Sequence, residues 1–115
     1  MEGVLMAKYA VFFSYTAESW ANMMAHPTDR SAEAGAIAAA VGGTVESYYW
    51  MFGDFDGFVV FEVPDSVSAA AISVAAASSG AFAAMETHEL FTSEAQAALV
   101  ERAKQVAESY TPPSS

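Results

Sequence analysis

The chain contains no cysteine. Disulfides, thiolate-bound zinc and a cysteine nucleophile are therefore excluded. Cations are scarce as well: only Lys8, Arg30, Arg102 and Lys104 stand against 14 carboxylates, for a formal charge of −10. Four scattered positive charges cannot neutralise a row of phosphates, so nucleic acid and anionic membrane surfaces are not expected partners. No apolar run approaches the roughly 18 residues that span a bilayer, and the opening MEGVLMAKY lacks the layout of a signal peptide. The cytoplasm is the expected location. Also missing are a glycine-rich phosphate loop, a G-x-S-x-G elbow, a dinucleotide fingerprint and the H-x-x-x-H, H-E-x-x-H and EF-hand spacings.

What is present is apolar surface. Hydrophobic residues make up 54% of the 115 positions and charged ones only 16%, which rules out a disordered chain and leaves room for one domain. Alanine accounts for part of the excess. Two Trp, five Tyr and eight Phe are harder to hide inside so small a globule, and they point to burial between subunits.

Local patterns divide the chain into eight segments. Residues 8–15, KYAVFFSY, are aromatic and β-branched and predict a strand. Thr16 caps a helix that His26-Pro27 interrupts, because proline disfavours helical geometry in the residue before it. Thr28 or Asp29 restarts it as an alanine-rich helix over 31–41, which Gly42-Gly43 ends. Strands over 45–52 and 58–63 flank the turn cluster Gly53-Asp54-Phe55-Asp56-Gly57 and form a hairpin. Pro64-Asp65-Ser66 opens a helix over 66–78, with Val67, Ala70, Ala71, Val74 and Ala77 expected on its sheet-facing side. A fourth strand covers 81–91, and Thr92 or Ser93 caps a last helix reaching about 108. Residues 1–6 are taken as an N-terminal extension, 7–110 as the single domain and 111–115 as a frayed tail.

The order β-α-β-β-α-β predicts an α+β, ferredoxin-like fold with an antiparallel sheet. Both faces of that sheet are apolar. Tyr9, Val11, Phe13 and Tyr15 oppose Ala10, Phe12 and Ser14, and Val59, Phe61 and Val63 oppose Phe58 and Val60. Helices cover one face; a second copy of the chain is the expected cover for the other, making a homodimer.

KYAVFFSYT, then VGGTVESYYWMFGDFDGFVVFEVPD, an alanine-rich helix and METHELFT together resemble the GYD family of small bacterial proteins, over about residues 7–100. The family's Gly-Tyr-Asp turn corresponds to Gly53, Asp54, Phe55 and Asp56, with phenylalanine in place of the tyrosine and one additional acid. The resemblance implies a dimeric α+β barrel, a class that includes cofactor-free monooxygenases, isomerases and haem-handling enzymes. It implies no particular activity.

Several side chains are candidates for chemistry. His88 alternates with Glu86 on the fourth strand, so the two share a face and form a possible general base with a fixed tautomer. The plainer alternative is a surface or subunit-contact pair. His26 sits at the break between helices, where it lines a cleft mouth or is simply an exposed loop residue. Tyr48, Trp50 and Phe52 on one face of strand two, with Trp20 on the first helix, are candidate walls of an apolar pocket. Ser14, Tyr15, Asn22 and Glu62 would orient a ligand in it; core and dimer interface is the competing use of the same rings. Asp54 and Asp56 are accounted for by turn chemistry, and neither a metal nor a cofactor is expected. The function read from these residues is binding of a small apolar or aromatic molecule, with cofactor-independent oxygenase, isomerase or cyclase chemistry as its enzymatic form. A non-catalytic ligand-binding or homo-oligomeric module is the alternative, and a haem or metal protein with a histidine ligand is a third reading.

Overall fold

The computed structural model describes residues 6–114. Most of the expected N-terminal extension and the last tail residue lie outside that range. The elements run β1 (Ala7–Tyr15), α1 (Ala17–Ala25), α2 (Arg30–Ala40), β2 (Thr44–Trp50), β3 (Gly57–Val63), α3 (Ser66–Ser78), β4 (Phe82–Leu90) and α4 (Gln96–Ser109), with a 3-10 turn at Ser93–Ala95 before α4. The strands pair in the order β2-β3-β1-β4, antiparallel throughout, which is the ferredoxin-like arrangement.

Short polar side chains set the helix starts. Thr16 Oγ1 accepts from the Ser19 amide at 3.1 Å, Asp29 from the Ser31 amide at 3.0 Å and Asp65 from the Ser68 amide at 2.8 Å. Ser19 Oγ and the Thr16 amide both donate to the Ala81 carbonyl at 2.9 Å, which ties the entry of α1 to the entry of β4. Helix α2 stops at Gly42, whose φ of +78° an L side chain rarely adopts.

One face of the sheet carries the core. Tyr9, Val11, Phe13 and Tyr15 of β1 and Val59, Phe61 and Val63 of β3 are buried against Ala34 and Ala38 of α2 and Ala69 and Ile72 of α3. Among the described residues no helix packs on the opposite face, which bears Ala10, Phe12, Phe58, Val60 and Tyr49; Phe55 of the hairpin turn folds back onto it against Phe12, ring centroids 5.8 Å apart.

Three local expectations need correction, and one irregularity adds to them. The buried side of α3 is Ala69 and Ile72, while Val67 and Val74 face outward at 76% and 68% exposure. Valine gave the wrong cue because alanine surrounds that helix and leaves little polarity contrast to orient it. β2 ends at Trp50, so Phe52 shares no strand face with Tyr48 and is fully exposed in the turn. A register shift between Val45 and Ser47 leaves Glu46 as the extra residue of a bulge. The last helix proper begins at Gln96, and Thr92 makes no side-chain cap bond.

Helix α4 buries no residue and makes its main contacts with the 3-10 turn before it. The radius of gyration is accordingly 17.9 Å, against roughly 13 Å for a compact domain of this length. Among the described residues no helix is long and apolar enough to cross a membrane.

Candidate functional site

Between the helices and the sheet lies a cavity of about 340 Å³. Its floor is Val11, Phe13, Val59 and Phe61, alternate residues of the two central strands. One wall comes from α2, where Arg30, Ala34 and Ile37 recur at helical spacing; the other comes from α3 and its C-cap, where Ile72, Ala76 and Ser79 do the same. Small residues on both helices leave space that larger ones would fill. Phe82 and Met85 of β4 close one side, and Tyr15 and Tyr48 bring phenols to the rim.

The polar groups around this space are few. Burial pushes the Tyr48 phenol well above the ordinary tyrosine range, with Tyr15 beside it adding to the effect, so Tyr48 is a proton donor at neutral pH. The Arg30 guanidinium is pushed further up by the neighbouring Tyr15 hydroxyl, and its Nε is buried without a hydrogen-bond partner. Glu33, one turn further along α2, also lines the cavity.

An aromatic cluster borders the cavity. Tyr15 stacks on Phe82 with centroids 4.7 Å apart, and Trp50 lies 5.6 Å from Trp20, 5.7 Å from Tyr48 and 6.0 Å from Tyr15. Asp56 pins this cluster: its Oδ2 accepts from the Trp20 indole at 2.9 Å and from the Tyr15 amide at 2.8 Å. The turn acid is thus a strut for the end of β1 and for α1.

The expected site residues divide between two regions. Tyr15 and Tyr48 line the cavity, and Trp20 and Trp50 stand in the cluster beside it. Asn22 is exposed on α1, accepting the His26 amide through its carbonyl, and His26 ends that helix in solvent. Ser14, Glu62, Glu86 and His88 belong to the opposite, helix-free face. Ser14 Oγ donates to the Asp54 carbonyl there, and Glu62 lies 3.9 Å from Lys8, which also pairs with Glu46 at 3.1 Å. His88 Nε2 meets Glu86 Oε2 at 3.0 Å and packs edge-on to Phe12, with the sheet between it and the cavity. A second, shallower depression of about 280 Å³ lies on that face, around Lys8, Val60, Leu90 and Phe91.

Arg30, Phe82 and Met85 were not singled out from sequence. Arg30 carried a usable signal: it is one of four cations in a strongly acidic chain and opens an alanine-rich helix. Among the described residues no three His, Asp or Glu side chains gather in a metal-binding cluster.

The sheet order, the two backing helices and the cavity between them define a ferredoxin-like α+β domain with an internal apolar cavity. The GYD domain model matches residues 9–100, and the chain belongs to that family. No curated protein and no solved structure matches it.

Proposed function

We propose that this protein binds a small apolar or aromatic molecule between its helices and its sheet. The observation that carries the reading is the cavity of about 340 Å³, walled by Phe13, Phe61, Ile72, Phe82 and Met85 with only a few polar groups at its edge. Ligand sites are typically clefts of about 300–1,000 Å³ with this balance of apolar wall and sparse polar anchors. Binding rather than His88 chemistry is favoured because the sheet separates His88 and Glu86 from that space. The test is calorimetric titration of 2-naphthamide into the wild-type protein and into Ala76→Phe, whose ring would occupy the cavity. Binding to the wild type and its loss in a folded variant support the reading; equal binding to both contradicts it.

The second element of the proposal is assembly as a homodimer through the helix-free sheet face. Phe12, Phe58 and Tyr49 form a run of rings there, with centroids 5.4 and 5.5 Å apart. An exposed apolar face of this kind on a chain of −10 charge has its natural complement in a second copy, stacked sheet to sheet. Helix α4 stands off the body with Leu99, Val100 and Val106 exposed, and in such a dimer it reaches across to the partner.

A further inference from the structure

We propose that the molecule bound in the cavity is a small aromatic or cyclic carboxylate, its planar anion held by Arg30 and its apolar body by the rings of the sheet. This rests on the reading of the cavity as a ligand site and goes further by assigning the ligand's charge.

The four cations are used differently. Lys8 pairs with Glu46 and Glu62, and Lys104 with Glu101 at 3.5 Å. Arg102 lies on the exposed face of α4. Arg30 alone is placed on the cavity wall, and among the described residues it forms no ion pair, although the chain has 14 carboxylates. Its Nε is buried and bonded to nothing. An arginine stays charged under all ordinary conditions, and a partly desolvated guanidinium edge with an unused donor is costly unless something accepts from it. Glu33 shares the helix but does not pair with it. A guanidinium on the cavity wall with no carboxylate of its own therefore suits an acceptor that arrives with the ligand.

The surroundings narrow the class. A guanidinium matches a carboxylate with two parallel hydrogen bonds, a geometry that a neutral amide or alcohol reproduces poorly. The Tyr48 and Tyr15 phenols stand beside it, and Tyr48 keeps its proton far above neutral pH, so it offers another donor to an anion. Phe13, Phe61, Phe82 and Met85 supply apolar wall, and the Ser79 hydroxyl that also lines the cavity already donates to the Ala76 carbonyl. A molecule with one charged end and a compact apolar body satisfies both halves. The overall charge of −10 opposes anions at long range, so Arg30 must supply the discrimination locally.

Calorimetric titration with 2-naphthoate and with its neutral isostere 2-naphthamide tests this. The wild type is expected to bind the carboxylate at least about tenfold more tightly than the amide, the scale of a charge-assisted hydrogen bond. Arg30→Leu should bring the ratio of carboxylate to amide affinity down to about one; Arg30→Gln, which keeps a donor and loses the charge, is the second variant should the leucine protein not fold. Equal affinity for the two compounds, or a loss in Arg30→Gln that affects both alike, overturns the assignment of charge and leaves the cavity standing. Failure of both compounds to bind the wild type at millimolar concentration overturns the charge assignment and the cavity reading together.

Discussion

The indole of Trp20 donates to the carboxylate of Asp56 across 36 residues of sequence, at 2.9 Å. The same oxygen accepts the Tyr15 amide at 2.8 Å, so one turn acid fixes the end of β1, the first helix and the tryptophan beside the cavity. Removing it strands two donors. Asp56→Ala is expected to destabilise the fold by about 1–3 kcal/mol, read from urea unfolding. In a Trp50→Phe background the remaining Trp20 emission should shift to the red. Unchanged stability and emission would show that these bonds contribute nothing in solution.

Gly57 begins β3 where two chains of atoms come close. A Cβ built there would lie 2.6 Å from the Tyr49 carbonyl oxygen and 2.8 Å from Phe13 Cζ. Phe13 is a buried cavity residue and cannot move without disturbing Tyr48, Trp50 and Phe82, which pack around it. Gly57→Ala should therefore cost about 1–3 kcal/mol through overpacking, measured as a lower unfolding midpoint. Gly53→Ala in the adjoining turn meets no atom within 4 Å, but its φ of +126° also disfavours a side chain. A loss at Gly53 would thus report backbone strain, and only the loss at Gly57 would be accompanied by altered cavity binding.

How far these relationships were legible in the sequence differs by element. The strand alternation of KYAVFFSY, the glycine-flanked hairpin and the cap at Asp65 are local signals, and each element appears within a few residues of where they place it. The pairing of Glu86 with His88 also followed from strand periodicity. Which face the pair would occupy did not, because β1 is apolar on both sides and alternation alone cannot say which side receives the helices. The orientation of α3 was obscured by the alanines and serines around it, where Val67 and Val74 gave a misleading contrast. The standing-off of α4 is a tertiary fact with no local signature.

Alkaline titration offers a third test. Burial raises Tyr48 first of all, and burial followed by Glu89 raises Tyr9, so the neutral phenol is the favoured form of both in the folded state. A raised folded value contributes stability that is fully present below the ordinary pKa of about 10 and is lost as pH climbs toward the folded value. Ultraviolet titration should show Tyr48 and Tyr9 ionising late, coincident with unfolding. In Tyr48→Phe the late fraction should fall by one tyrosine. Ionisation of all five tyrosines near the ordinary value in folded protein would contradict the packing of Tyr48.

The helix-free face gives a fourth. Phe58 stacks on Phe12 at 5.4 Å and on Tyr49 at 5.5 Å. Phe58→Asp places a charge in the middle of the proposed subunit contact, where an unpaired buried carboxylate is strongly unfavourable. Sedimentation should report a dimer for the wild type and a dimer at least about tenfold weaker for the variant, the loss of a single charge-sensitive contact. Removal of residues 96–115, which carry α4, should weaken it as well. A wild type that sediments as a single chain at high micromolar concentration would exclude the sheet-to-sheet contact.

The central claim is that the space between α2, α3 and the sheet is a ligand site. A crystal structure of the wild-type protein soaked with 2-naphthoate tests it most directly. The account predicts the ring between Phe13, Phe61 and Phe82, with the carboxylate at the Arg30 guanidinium and the Tyr48 hydroxyl. Density confined to the opposite face beside His88, or side chains collapsed to fill the space between the helices and the sheet, would contradict it.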